Sequence, residues 1–180
     1  GWSPEDGREL MTREELVGKF SPERCSKSPA TYDLAKLQWI NAQSLHRLGA
    51  EQIYRLALPF VEQAGFRPGE YESTWLSSVL MCIRDNVETL AQIKTYLPVF
   101  LTSLPPVEAD AEETIKSEQG KRVVQAFKQE LEKSAAINEQ VFLDIVKALK
   151  TDLQVGGKAL FMPIRSALTG CTHGPELAKI

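Results

Sequence analysis

Arg165 is the residue with most to offer a ligand. It lies in Lys158-Ala-Leu-Phe-Met-Pro163-Ile-Arg165-Ser-Ala-Leu-Thr-Gly170, which runs into Cys-Thr-His173-Gly174-Pro175-Glu-Leu177. The spacing predicts a helix, a tight loop and the start of another helix. Pro163 suits a first helical position, where a missing N–H costs nothing and φ is already set. Leu160, Ile164, Ala167 and Leu168 recur at helical spacing and are expected to face inward. Gly170 is a natural left-handed stop, and Pro175 is expected to begin the next helix, with that helix's free N–H groups and positive dipole end beside His173. Arg165 falls outside the apolar stripe, which puts its guanidinium on the open side. A donor-rich, rigid hollow of this kind suits a base edge or a phosphate; the bland alternative is a surface ion pair between Arg165 and a glutamate.

No other chemistry is signalled. The chain has no Walker loop, no GxSxG elbow and no HExxH, and no carboxylate is singled out by spacing beside a His or Cys. Cys25, Cys82 and Cys171 form no CxxC, and with only His46 and His173 available a zinc site is not expected. Free thiols in a reducing cytoplasm are the natural reading. The net charge of −3 argues against non-specific nucleic-acid binding by the whole surface, so an RNA partner would need locally concentrated charge. Lys147, Lys150, Lys158, Arg165 and Lys179 against only Asp152 and Glu176 supply it, whereas residues 105–139 are rich in Glu. A run of lysines also reads simply as a solvated helix face. No apolar run reaches membrane-spanning length, and the polar, turn-rich residues 1–7 do not read as a signal peptide.

The elements needed to position Arg165 are helical throughout. Thr12 and Glu15 fit a capping box before a short helix carrying Leu16, Val17 and Phe20, ended by Ser21-Pro22. One short helix cannot bury its own face, so this segment is expected to start inside a larger structure. Ser28-Pro29 predicts one helical turn, and Asp33 caps a longer helix in which Leu34, Leu37, Asn41, Leu45 and Leu48 share a stripe. Leu37, Trp39 and Ile40 read as core. A third helix runs to Gly65 with a kink or break at Pro59, and a fourth through Trp75 and Ile83 to Asp85-Asn86. A fifth is expected from Glu88 to Tyr96, with Pro98 beyond its end. Residues 102–111, containing Pro105-Pro106, read as a linker. One long helix over 112–133, another capped by Asn138, and the Gly156-Gly157 turn then lead back to Lys158. No stretch alternates as a strand, so the class is all-α, a bundle or cage of helical units over 1–48, 49–98 and 99–180. At 180 residues the length suits one to three small units.

Two dense segments carry a resemblance. Ser28-Pro29-Ala30-Thr-Tyr32-Asp33-Leu-Ala-Lys36-Leu37-Gln-Trp39-Ile40-Asn41 is similar to a segment of the bacterial glutamyl-tRNA synthetases, members of the class I aminoacyl-tRNA synthetases, and Pro163-Ile-Arg-Ser-Ala-Leu-Thr-Gly170 resembles their anticodon-reading end. The resemblance spans nearly the whole chain. It implies a stem-contact region at 1–48 and two anticodon-binding units at 49–98 and 99–180, the last expected to be cut short because relatives continue beyond the position of Ile180. It further implies Arg165 as an anticodon contact, an anticodon loop wall from Gly174, Pro175 and Leu177, and Lys36 as a phosphate contact. Gly174 stands where some relatives carry a hydroxyl residue; a backbone contact there could replace that side-chain bond.

Asn86 departs from the pattern more informatively. Relatives that accept only tRNA(Glu) have an arginine three residues before a Thr-Leu pair, touching the third anticodon base. Here the pair is Thr89-Leu90, the residue is Asn86, and Arg84 lies two positions earlier. Asparagine is short, neutral, and both donor and acceptor, so it tolerates C or G. The resemblance thus implies tRNA(Glu) as partner, with tRNA(Gln) as a second. A helix cap is the plainer role for Asn86, and the two are compatible. The synthetases' HIGH and KMSKS motifs are missing, so no cofactor is expected in this chain. ATP and Mg would bind a catalytic domain not contained in it, and the chain alone is expected to be inactive, monomeric and cytoplasmic. The competing readings are a free-standing helical interaction or RNA-binding module, and an intact enzyme whose site carries no recognised motif.

Overall fold

In the computed structural model, which describes residues 1–29 and 31–180, side-chain caps set several of the helix starts. Thr12 Oγ1 accepts from the Glu15 N–H and the Glu15 carboxylate from the Thr12 N–H, opening α1 (Arg13–Lys19). Asp33 caps α2 (Leu34–His46) and Asn138 caps α8 (Glu139–Asp152), each side chain accepting from the N–H three residues on. Between them lie α3 (Ala50–Gln63), α4 (Ser73–Arg84), α5 (Ile93–Leu101), α6 (Ala109–Lys116) and α7 (Glu118–Glu132), and α9 (Lys158–Thr169) follows. Among the described residues there is no strand, so the all-α class holds.

Two hydrophobic cores result. Ile53, Ala57 and Val61 of α3 meet Leu76, Leu80 and Ile83 of α4 and Ile93 and Leu97 of α5, with Leu45 closing one end. Val123 and Phe127 of α7, Phe142, Ile145 and Leu149 of α8, and Leu160 and Ile164 of α9 make the second, closed by Leu177. Each such Leu, Ile or Phe contributes about 1.5–3 kcal/mol by leaving water. Among the described residues, no helix of one core packs broadly on a helix of the other.

Pro98 and Pro163 depart from their expected places, while Pro59 lies inside its helix as expected and does not break it. Pro59, Pro98 and Pro163 all sit inside their helices, and none ends one. Each removes the bond to the carbonyl four residues earlier, on Arg55, Lys94 and Ala159. All three of those residues are exposed, where water can take the freed carbonyl. The fifth helix therefore runs past Pro98 to Leu101, after a 3-10 turn at Leu90–Gln92. Gln92 Oε1 accepts from the N–H groups of Glu88 (2.6 Å) and Thr89 (3.0 Å), so Asn86 is not the cap of that turn.

The long helix expected over 112–133 is two. Ser117, extended at ψ 152, ends α6 and caps α7 through Oγ, which accepts from the Gly120 N–H at 2.9 Å. A Cβ on Gly120 would lie 2.0 Å from Thr114 O, so only glycine lets α7 fold back on α6. The linker is shorter than expected, since α6 already begins at Ala109.

Towards the N-terminus, the helical turn expected to start at Ser28-Pro29 falls on Ala30, which lies outside the described residues. Leu37 and Trp39 are not core but 46% and 43% exposed, and Val17 is 70% exposed. The reason is geometric: among the described residues, α2 meets the first core near its C-terminal end, through Leu45 and a hydrogen bond from Asn41 Nδ2 to Glu88 O, with Leu48 just beyond the helix.

Candidate nucleic-acid interface

Gly170 ends α9 in the left-handed region, φ 71, and turns the chain into the loop 171–176. Thr169, buried, stitches this turn: its hydroxyl donates to Arg165 O (2.9 Å) and accepts from the Cys171 N–H (3.2 Å). Pro175 does not begin a helix. It lies fully buried, ahead of a single 3-10 turn at Leu177–Lys179. The expected helix-dipole site beside His173 is therefore not formed, because three residues of 3-10 geometry align too few peptide dipoles.

Arg165 is half-buried rather than open. Its Nη1 donates to Pro175 O at 2.8 Å, tying helix to loop, and burial lowers its pKa from the ordinary arginine value. Among the described residues, it forms no ion pair with a glutamate. Pro175 and Leu177 are buried with it, Leu177 in the second core, so neither offers an apolar face to a base in this conformation. The inward stripe of α9 also differs from expectation. Pro163, Ser166 and Thr169 are buried with Leu160 and Ile164, whereas Ala167 is exposed.

The far side of the loop is held by the linker. The Glu108 N–H donates to Gly170 O (2.8 Å), the Thr172 hydroxyl to Asp110 Oδ2 (2.5 Å), and His173 Nδ1 lies 3.9 Å from Glu108. The Thr172 hydroxyl is the main cause that holds the Asp110 carboxyl below the usual carboxylate range. A depressed carboxylate pKa contributes stability that is present above its unfolded value and lost as pH falls through the folded one. Thr172→Ala is accordingly expected to lose the acid-side part of this dependence, seen as a smaller drop in melting temperature between neutral pH and pH 3. An identical drop in parent and variant would exclude the Thr172 contact as its source.

Next to this loop a cleft of about 900 Å³ opens between the two cores. Cys82, Asp85 and Asn86 line one side with Phe100, and Glu176 and Lys179 line the other. Asn86 Nδ2 donates back to Cys82 O (3.2 Å), and Arg84, which also lines the cleft, donates from Nη1 to Leu48 O (3.0 Å) and from Nε to Asp85 Oδ1 (2.9 Å). Lys179 pairs with Glu176 (2.9 Å) along that same wall, and that bond raises its pKa. The fold thus brings Asn86 to one cleft wall, and Arg165 and Gly174 behind the loop leading to the other. Lys36 is not brought near them; it pairs with Glu9 on the N-terminal segment.

Tyr96, Glu108 and Asp110 were not singled out by sequence reasoning. Their partners are some 60 to 80 residues distant in the chain, and nothing in local spacing marks them. Among the described residues, no helix is long and apolar enough to cross a membrane.

With this geometry in place, similarity to known proteins is informative. Residues 52–180 match the anticodon binding domain family. The chain is 34% identical over its full length to a glutamate–tRNA ligase of Carboxydothermus hydrogenoformans and 36% identical over 99% of its length to glutamate–tRNA ligase 2 of Caldanaerobacter subterraneus. It spans 38% and 37% of their lengths. A crystal structure of a glutamate tRNA ligase from Elizabethkingia meningosepticum in complex with its amino acid has the same fold, with a TM-score of 0.78 at 17% identity, covering 99% of this chain and 35% of that one.

Proposed function

The chain belongs to the anticodon-binding-domain family and corresponds to the C-terminal, anticodon-binding portion of a bacterial glutamate–tRNA ligase, and from this we propose that it recognises the anticodon arm of tRNA(Glu) without catalysing a reaction itself. The parent ligase joins glutamate to tRNA with ATP, on a catalytic domain outside this chain. The observation that carries the reading is the cleft between the cores, roomy enough for an unstacked base and walled by Asn86 and by the segment that Arg165 braces. Single-stranded loops are read on splayed base edges, while lysines near the cleft hold phosphates. Lys179 is placed to do so once released from Glu176, and Lys36 would touch the inner stem after release from Glu9.

Asn86 gives the reading its specificity. An amide that offers both donor and acceptor accepts C or G at the third anticodon position, so the ligase charges tRNA(Gln) as well as tRNA(Glu). Two measurements test this. Titration of the protein with both anticodon stem-loops by fluorescence anisotropy is expected to give comparable affinities that fall with salt through counterion release. Binding no tighter than to an unrelated hairpin would end the RNA reading. In the full-length ligase, Asn86→Arg is expected to lower charging of tRNA(Gln) by about 5- to 150-fold, one mismatched contact costing roughly 1–3 kcal/mol. A parent enzyme that already rejects tRNA(Gln) would refute the relaxed specificity alone.

A further inference from the structure

We propose that Tyr96 is a positioning residue for the cleft: its ring, on the first core, keys into a gap that only glycine at position 174 leaves in the second, and so sets how the two cleft walls face each other. This rests on the RNA-binding reading above and adds to it a residue that touches no base.

Three observations converge. First, the two cores are joined weakly, by the linker and the loop 171–176 and not by any broad helix–helix packing among the described residues. Something local must fix their register. Second, Tyr96 belongs to the first core, where it packs beside Ile93 and Leu97, yet its ring reaches the second. A Cβ built on Gly174 would lie 3.2 Å from Tyr96 Cε1 and 3.4 Å from Cδ1, tighter than an ordinary carbon contact. Gly174 also holds φ at +124, a conformation L side chains rarely adopt. His173 meets the same ring edge-on, with centroids 6.2 Å apart. Third, the loop cannot retreat from the ring. Behind Gly174, Arg165 Nη1 holds Pro175 O, and before it Thr172 is held by Asp110. The loop is thus pinned from behind and pressed by Tyr96 in front, and the residues that follow it, Glu176 to Lys179, are the cleft's second wall. Phe100, one helical turn beyond Tyr96 on α5, lies in the first wall. A shift at Tyr96 is therefore transmitted to both sides of the cleft.

The contact is one of shape, since the phenol hydroxyl makes no hydrogen bond among those described; phenylalanine should serve as well. The test compares the parent with Tyr96→Ala, Tyr96→Phe and Gly174→Ala, each checked for intact helices by circular dichroism. Small-angle X-ray scattering of the free proteins is expected to show a larger maximum dimension for Tyr96→Ala and Gly174→Ala, and the parental value for Tyr96→Phe. Affinity for the tRNA(Glu) anticodon stem-loop is expected to fall about tenfold in the first two and to be restored in the third. Combining Tyr96→Ala with Gly174→Ala should cost less than the sum of the single losses, because both act on one contact and the ring that the added Cβ would crowd is gone.

Parental scattering and parental affinity in Tyr96→Ala would overturn the proposal, as would additive losses in the double variant. A widened Tyr96→Ala that binds as tightly as the parent would equally overturn it, since cleft geometry would then not govern binding. If the parent itself binds no stem-loop, the RNA reading fails, while the scattering comparison still decides whether Tyr96 sets the register of the cores.

Discussion

Gly170→Ala is expected to destabilise the protein by about 3 kcal/mol, against about 1 kcal/mol for Gly65→Ala. Both glycines end a helix in the left-handed region, at φ 71 and φ 88. An alanine there costs about 1 kcal/mol in backbone strain at either site. The surroundings separate them. Around Gly65 a Cβ meets nothing within 4 Å, whereas at Gly170 it would lie 2.2 Å from Pro106 O and 3.2 Å from Val107 Cα. Those are backbone atoms, which cannot swing aside as a side chain would. The linker must undock, breaking the Glu108 N–H bond to Gly170 O and exposing the Thr172–Asp110 contact to competition by water. For a chain of this length 3 kcal/mol corresponds to a fall of roughly 10 °C in melting temperature. Differential scanning calorimetry of the two variants decides the matter. Equal losses at the two positions would mean that linker docking contributes nothing to stability.

Arg165→Ala is expected to act twice. It removes the donor from Pro175 O, which lies in a fully buried residue, and an orphaned buried carbonyl costs about 1–3 kcal/mol. It also frees the loop that leads to the cleft's second wall, weakening binding of the tRNA(Glu) anticodon stem-loop about tenfold, or about 1.4 kcal/mol. Arg165→Lys separates brace from charge. Lysine keeps the cation but presents a point charge on a flexible stem rather than a planar fork. If Arg165 works as a brace, lysine restores little; if only its charge matters, lysine restores binding. Unchanged affinity in Arg165→Ala, with the helices intact by circular dichroism, would remove Arg165 from the interface altogether.

Much of the architecture was legible because its causes are local. The caps at Thr12, Asp33 and Asn138 and the stops at Gly65 and Gly170 depend on residues within one turn of each other, and each lies where its spacing predicted. The same local rules misplaced Pro98 and Pro163. A ring that breaks a peptide helix is tolerated where the carbonyl it orphans faces water, and that is settled by which side of the helix the core lies on. They also fused α6 with α7, since a single Ser117 that caps in both directions looks from its neighbours like an ordinary helical residue.

Arg165 shows where local reasoning stops. That it is charged, lies off the apolar stripe and precedes a glycine stop followed by a proline loop is written in the order of residues. That its guanidinium turns inward to Pro175 O depends on where the loop returns, which the linker decides by docking Glu108 on Gly170. Asn86 and Lys179, 93 positions apart, share a cleft only because the linker and the Tyr96–Gly174 contact set two separate cores side by side. Helix type, helix ends and the likeness of two motifs to a known family follow from short-range sterics and hydrogen bonding, which residue order encodes directly. Which residues face one another across the cleft follows from long-range packing, where any one contact is weak and its partner leaves no trace in the neighbouring sequence.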